Sequence, residues 1–207
     1  MSNGKKGVPR LDARREKLGG AILDVDYCVM DGDRGFPPYA TWTQMLTRCY
    51  SERYIKATPT YKDCVVCDEW KRYSNFEKWF KDTSNGYRDG YCLDKDIIVK
   101  GNKVYSPDTC CFVPNEINAL FIKHDGKRGK YPIGVSAHNK KFCARINVFQ
   151  KGSVWLGSFN TSEEAFVAYK QAKESYIKDM AQKYFNEDKI TKRVYDALMR
   201  YEVEITD

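Results

Sequence analysis

The chain has 207 residues, of which 42% are hydrophobic and 14% aromatic, so it can form one or two small domains with modest cores. Lys and Arg number 35 against 28 Asp and Glu, which makes the chain mildly basic. No apolar run approaches the ~20 residues of a transmembrane helix, and the charged N-terminus lacks the apolar segment of a secretory signal. These features argue against a membrane or secreted protein. We expect a cytoplasmic protein with mostly reduced cysteines.

The N-terminal half is predicted to be a mixed module with an aromatic core. Residues 1–20 hold six basic and two acidic side chains and are expected to form a flexible basic arm. A short strand is predicted within 21–30, a loop over 31–38, a helix over 39–50, a loop over 54–61 and a short strand or turn over 63–67. The first helix should bury Trp42, Met45, Leu46 and Cys49. A second helix, capped by Asp68 or Ser74, should carry Trp70, Phe76, Trp79 and Phe80.

A hairpin is predicted where residues 93–99 are followed by a turn at 100–102 and a strand at 103–105. A short helix over 114–121 would complete a ββα unit. In such a hairpin Asp94 and Asp96 lie on one face of a strand, and two carboxylates there could hold Mg²⁺. The alternative is that both aspartates are solvent-facing charges.

The cysteine pattern admits a structural zinc site. Cys64 and Cys67 have the spacing of a zinc knuckle, and Cys92, Cys110 and Cys111 could complete a tetrahedral site, with Cys110 and Cys111 as the preferred pair. Only one such pair is present, and adjacent cysteines are awkward joint ligands. Buried thiols explain the same residues equally well.

Residues 131–172 predict three short strands followed by an amphipathic helix. The strands are expected at 133–137, 142–149 and 153–159, with turns at 138–140 and 150–152. Residues 160–162 supply a helix N-cap, followed by Glu163 and Glu164 in the first turn, where carboxylates suit the exposed amides. Six helical side chains should cover one face of the sheet: Ala165, Phe166, Ala168, Tyr169, Ala172 and Tyr176.

The other face of this sheet is left open by the predicted helix. Alternation along the strands assigns to it Ser136, His138, Lys141, Arg145, Asn147 and Trp155. Residues 121–160 contain eight Lys or Arg and one acid, a local excess equal to the +7 of the whole chain. Such an excess favours a polyanion, most simply a nucleic-acid backbone. The alternative is an ordinary solvated polar face.

The same stretch resembles the AP2/ERF DNA-binding domain. The likeness lies in the Gly-Val turn, K-F-x-A-R-I, W-L-G-S-F and T-S-E-E-A-x-x-A-Y, and it covers about forty residues. It implies a sheet docked in the major groove of duplex DNA, with Arg145, Asn147 and Trp155 facing the bases. Ser136, His138 and Lys141 would join them, and Lys140, Lys141 and Lys151 would hold phosphates. Ser136, His138 and Arg145 depart from the plant pattern, so its base preference is not transferred.

Residues 39–121 are similar to phage proteins described as HNH-endonuclease-like, which often carry an AP2-type domain. The order W-x-x-M-x-x-R-C-Y, V-C-D-E-W, L-D-K-D and Y-S-P-D-T-C supports this. An HNH nuclease needs a histidine base on its hairpin, and this chain has Asp94-Lys95-Asp96 there. His124 and His138 lie elsewhere. The catalytic candidates are therefore Asp94, Asp96 and Asn118, and the module is expected to be degenerate.

Together these features predict an α+β protein in three parts: a basic arm over 1–20, a degenerate HNH-like ββα module over 21–121, and an AP2-like domain over 128–207. The last is a three-stranded antiparallel sheet on one helix, followed by a second helix near 191–201. That second helix should pack back on the protein or form a partner surface. The expected function is binding of duplex DNA by a phage-encoded protein in the bacterial cytoplasm. The alternatives are a Mg²⁺-dependent homing or nicking endonuclease and a phage protein that inhibits a host protein.

Overall fold

The structure is a computed structural model that describes residues 18–122 and 130–205. It contains both helices and sheets, as an α+β fold requires. The chain forms two compact units, Met1–Phe112 and Val113–Asp207. Residues 115–121, which the sequence assigns to the HNH-like module, belong to the second unit. Residues 1–17 of the predicted arm lie outside the described residues, as do Lys123, His124, Lys127 and Arg128.

The first unit is built from short strands around three helices. The helices are α1 (Pro37–Tyr50), α2 (Glu52–Ala57) and α3 (Tyr73–Lys81). The strands are β1 (Met30–Asp31), β2 (Arg34–Gly35), β3 (Val65–Val66), β4 (Cys92–Asp94), β5 (Val104–Tyr105) and β6 (Cys111–Val113). β1 pairs with β2 antiparallel, β3 with β5 in parallel, and β4 with β6.

The core of this unit is aromatic, as the sequence predicts. All four predicted side chains of α1 are buried, and Trp42 donates a hydrogen bond of 2.7 Å to the carbonyl of Trp70. Trp70 in turn lies against Trp79, with ring centroids 4.5 Å apart. A buried tryptophan needs a partner for its N–H, and the turn that carries Trp70 supplies one.

Two local predictions for this unit are wrong. The loop predicted at 54–61 contains α2 and a 3₁₀ turn at Pro59–Tyr61, because Ser51 caps α2 by accepting a hydrogen bond from the amide of Tyr54. The segment predicted as one helix after Asp68 is a 3₁₀ turn, Glu69–Lys71, followed by α3. Neither Asp68 nor Ser74 caps α3.

The acceptor at the start of α3 comes from a distant residue. Asp24 accepts hydrogen bonds of 2.9 Å from the amide of Ser74 and 2.8 Å from its hydroxyl, and Arg72 lies 3.3 Å away. Burial alone would raise the pKa of Asp24, but these hydrogen bonds lower it below its ordinary value. A carboxylate in this place satisfies an exposed helix amide, as an N-cap does.

We therefore expect Asp24→Ala to destabilise the first unit by about 1 kcal/mol, the usual cost of losing a cap. Because the folded pKa is lowered, this stabilisation is present above the unfolded pKa and is lost as pH falls through the folded value. Urea denaturation of wild type and Asp24→Ala at neutral and acid pH measures both effects. Asp26→Ala is the control, and an equal loss in that variant would contradict the capping role.

The second unit is a three-stranded sheet backed by a long helix. The strands are β7 (Val135–His138), β8 (Lys141–Val148) and β9 (Gly152–Phe159), and both neighbouring pairs are antiparallel. The helices are α4 (Asn115–Asn118), α5 (Ser162–Asn186) and α6 (Lys192–Met199), with a 3₁₀ turn at Ala119–Phe121. The three predicted strands are confirmed, with ends shifted by one or two residues.

α5 covers one face of this sheet. Thr161 caps it through a capping box with Glu164, which confirms the predicted start. The side chains of Ala165, Phe166 and Tyr169 are buried in one cluster with Ala144 and Ile146 of β8, and Ala168, Ala172 and Tyr176 pack at its edge. The helical period of these small and aromatic residues thus builds the back of the sheet.

The C-terminal extension packs on α5. Thr191 caps α6, and the rings of Phe185 and Tyr195 stack with centroids 4.6 Å apart. Beyond α6, Val203 is buried in the sheet–helix cluster, and its backbone bonds Glu174 at 2.8 Å and Lys170 at 2.7 Å. The prediction that this extension packs back on the protein is confirmed. Among the described residues, no helix is both long and apolar enough to cross a membrane.

Candidate nucleic-acid interface

The face of the sheet opposite α5 carries the side chains that the sequence assigns to it. In the β8–β9 register Arg145 lies opposite Trp155, and Asn147 lies opposite Ser153. In the β7–β8 register Ser136 lies opposite Cys143, and His138 opposite Lys141. The predicted open-face residues are all exposed: Ser136, His138, Lys141, Arg145, Asn147 and Trp155. We call this surface the open face.

Trp155 is the most distinctive residue of the open face. It is 60% exposed, the highest value among the large apolar side chains that the structure describes. The exposed Arg145 lies directly opposite Trp155 on the neighbouring strand, β8. Exposure of an indole to water is unfavourable, because burial would remove its apolar surface from water. Cys143 differs from its neighbours, since it is 7% exposed and its Sγ lies 3.3 Å from the hydroxyl of Ser158.

A β-bulge in β9 keeps Trp155 on the open face. Ala144 pairs with Gly157 and Arg145 with Trp155, so Leu156 has no partner and the register shifts there. Leu156 packs against the core, as does Phe159. Simple alternation from Trp155 would instead turn Phe159 outward. Gly157 permits the bulge, because its φ of +146° is a conformation that other residues rarely adopt.

The β7–β8 turn is tight and strained. Asn139 and Lys140 have φ values of +48° and +62°, which is the pattern of a type I′ hairpin turn. Asparagine tolerates this conformation, but the second position favours glycine, and a lysine there costs roughly 1–2 kcal/mol. Lys140 is exposed, so little packing offsets the cost.

The β8–β9 turn contains two exposed residues, Phe149 and Gln150, for which the sequence predicts no role in binding. The amide of Lys151 bonds the carbonyl of Val148 at 3.1 Å, and Gln150 has a φ of +63° where glycine or asparagine is usual. Phe149, at the start of the turn, is 50% exposed. The signal for Phe149 is present in the sequence, because it follows Arg145 and Asn147 at two-residue steps.

The charge of this region is uniformly positive. Residues 130–160 contain five Lys or Arg and no Asp or Glu. These cations are Lys130, Lys140, Lys141, Arg145 and Lys151. All five are exposed. Residues 130–160 therefore attract anions and contribute no carboxylate that would repel them.

The predicted ββα hairpin does not form. β4 pairs with β6 and β5 pairs with β3, so residues 93–99 and 103–105 are not strand partners. Strand β4 ends at Asp94, and Asp96 follows in a bend. The expectation that Asp94 and Asp96 share one face of a strand is therefore wrong. The loop between β4 and β5 is instead closed by Asn102, whose side-chain amide donates to the carbonyls of Lys95 and Val104 at 2.7 and 2.6 Å.

The two aspartates have different partners. One oxygen of Asp94 accepts bonds of 2.8 and 2.7 Å from the amides of Asp96 and Ile97. Burial, with a smaller contribution from the Asp96 carboxylate, raises the pKa of Asp94 to about 6. Asp96 is bound by the buried Lys95, 3.0 Å away, which also bonds the carbonyl of Asn102 at 3.0 Å. In this loop Asp94 holds the backbone at Asp96 and Ile97, and Asp96 forms an ion pair with the buried Lys95.

The other predicted site residues lie in separate segments of the chain. Asn118 ends α4 in the second unit, away in sequence from the aspartates of the first. Cys64 and Cys110 are buried and Cys67 is half-buried, and burial raises the pKa of each of these thiols. Cys111 is buried in β6. Within residues 18–122 and 130–205, no three His, Cys, Asp or Glu side chains group closely enough to hold a metal ion, and the zinc site at Cys64, Cys67, Cys110 and Cys111 stays a prediction.

No protein-family model, curated protein or solved structure matches this chain.

Proposed function

We propose that the protein binds duplex DNA through the open face of β7–β9. The observation that carries this proposal is the pairing of the 60%-exposed Trp155 with Arg145 on a surface free of carboxylates. The back of the sheet is already covered by α5, so folding requires no apolar side chain on the front. An exposed indole beside a guanidinium suits a partner that presents both apolar surface and hydrogen-bond acceptors, as base edges do.

Two strands of the sheet, β8 and β9, match the width of the major groove. That groove is about 12 Å wide and admits a pair of strands, whose backbones lie about 4.8 Å apart. In this arrangement Arg145 on β8 and Trp155 on β9 enter the groove together, and Asn147 follows along β8. Arginine pairs best with guanine and asparagine with adenine. Ser136 and His138 on β7 lie toward one wall of the groove.

In the proposed complex the lysines at the two hairpin turns contact phosphates. Lys140 and Lys141 stand at the β7–β8 turn and Lys151 at the β8–β9 turn, at opposite ends of β8. Contacts of this kind fix the register of a protein on DNA, whereas contacts to bases select the sequence. We therefore expect these lysines to contribute affinity for any sequence.

Salt dependence tests the proposal directly. The three lysines on phosphates give a slope of about −2.7 in a plot of log affinity against log salt, and neutralisation of phosphates by all five cations of the region gives about −4.5. Fluorescence anisotropy of a labelled duplex, titrated with the full chain at several salt concentrations, measures this slope. Binding that is absent at low salt, or that is insensitive to salt, would overturn the proposal. A surface that docks a protein through apolar contacts gives the insensitive result.

Substitution of Lys140 by glycine should change stability and DNA affinity in opposite directions. Asn-Gly is the preferred sequence of a type I′ turn, so Lys140→Gly is expected to stabilise the sheet by about 1 kcal/mol. Loss of one phosphate contact should reduce the salt slope by about 0.9. Urea denaturation and the anisotropy titration measure the two effects. Lys178→Ala, which removes an exposed lysine of α5, is the control for charge alone. A Lys140→Gly protein with unchanged DNA binding would remove this turn from the interface.

A further inference from the structure

The tip of the β8–β9 hairpin presents an apolar side chain that the proposed interface does not yet use. Phe149 is 50% exposed, and it stands between Val148, which packs on the core, and the polar residues Gln150 and Lys151. The turn is positioned at the end of the longest strand pair in the sheet. An exposed phenylalanine contributes little to folding, so its ring is available to a partner.

Phe149 comes directly after the row of side chains on the open face. Arg145 and Asn147 lie two residues apart on the open side of β8, and Phe149 follows two residues later as the first residue of the turn, just beyond the strand end at Val148. The intervening Ile146 and Val148 pack on the other side against the α5 cluster. The row therefore runs from a guanidinium through an amide to an apolar ring.

The position of Phe149 is fixed by the fold. Its amide donates a hydrogen bond of 2.9 Å to the hydroxyl of Tyr176, which belongs to α5. The following residue, Gln150, is held at a φ of +63° by the Lys151–Val148 hydrogen bond. A side chain whose backbone is braced in this way loses little freedom when it meets a partner, which favours binding.

We infer that Phe149 contacts the C5-methyl groups of thymine in the major groove. This inference rests on the proposed function, because it places the β8 row against base edges. Guanine, cytosine and adenine present only donors and acceptors in that groove, and the thymine methyl is its apolar feature. An apolar ring at the end of a row of polar readers matches that methyl and no other group of the groove. Phe149 thus gives the interface a preference for A·T pairs at the end of the sheet that carries Lys151.

Replacement of thymine by uracil isolates this contact. The probes are two duplexes, one of alternating adenine and thymine and one of alternating adenine and uracil, so that every register offers or lacks methyl groups. At low salt the full chain should bind the thymine duplex about fourfold more tightly for each methyl that it covers. Phe149→Ala should bind the thymine duplex about tenfold more weakly than wild type and should discriminate less between the two duplexes. Because Phe149→Ala removes an apolar contact, the salt slope of this variant should equal that of wild type.

Two further variants make the outcomes separable. Phe36→Ala removes a phenylalanine of similar exposure, 45%, from the first unit and should leave both affinities unchanged. Lys151→Ala should reduce the salt slope by about 0.9 and retain the discrimination between thymine and uracil. If wild type binds neither duplex, the proposed function fails. If wild type binds both and Phe149→Ala discriminates between them as wild type does, DNA binding stands and the role of Phe149 is overturned.

Discussion

The double variant Arg145→Ala, Trp155→Ala is expected to bind duplex DNA about a hundredfold more weakly than wild type. A well-placed arginine contact and an aromatic contact to bases are each worth about 1–3 kcal/mol, and a loss of roughly 3 kcal/mol corresponds to this factor. Both side chains are exposed, so the sheet should remain folded. Anisotropy titration measures the affinity, and circular dichroism with thermal denaturation measures the fold.

The matched control for this experiment comes from the first unit. Arg34→Ala, Phe36→Ala removes the same charge and an exposed aromatic ring outside the open face. It should bind DNA as wild type does. An open-face double variant that is folded and keeps its full affinity would show that the sheet is not the DNA-binding surface. Equal losses in both double variants would indicate a nonspecific effect of charge.

The largest expected loss of stability follows from Gly134→Ala. A Cβ at this position would lie 2.1 Å from the ring of Tyr169, which is buried between the sheet and α5. The ring cannot move without disturbing the core, and the φ of +75° adds the strain of a left-handed conformation. Overpacking and strain together should cost about 3 kcal/mol. Urea denaturation of a protein in which Trp42, Trp70 and Trp79 are replaced by phenylalanine, with and without Gly134→Ala, follows the fluorescence of Trp155 and reports on this unit.

Gly152→Ala separates strain from steric overlap. Gly152 has a similar φ of +71°, but nothing lies within 4 Å of the position that a Cβ would occupy. This variant should lose only about 1 kcal/mol, the cost of the conformation. Equal losses at Gly134 and Gly152 would mean that the ring of Tyr169 adjusts freely to the extra atom.

The second unit is largely predictable because its signals are local. Hairpin turns fix the register of neighbouring strands, and the period of Ala165, Phe166 and Tyr169 identifies the face of α5 that packs on them. Thr161 and Glu164 match a capping box that can be read from four residues. The open face follows from the same alternation, so its six exposed residues are predicted correctly before any contact is known.

The first unit is less predictable because its contacts are not local. β3 pairs with β5 in parallel and β4 with β6, and no turn sequence encodes either pairing. The Lys100-Gly101-Asn102 segment has the composition of a hairpin turn, but Asn102 uses its side chain to close a broader loop. Asp24 replaces a local cap of α3 from fifty residues away. Competition of this kind between local signals and distant partners is decided only in the folded chain.

The bulge at Leu156 and Gly157 divides β9 into two segments with opposite phase. A shift of one residue in the pairing of a strand exchanges its two faces. The unpaired Leu156 introduces one such shift inside β9. Substitution of an exposed residue before the bulge therefore does not alter which residues after the bulge pack in the core. Deletion of Leu156 would join the two phases, and either Trp155 would enter the core or Phe159 would leave it. A single unpaired residue thus lets one strand expose Trp155 and, four residues later, pack Phe159 against the core.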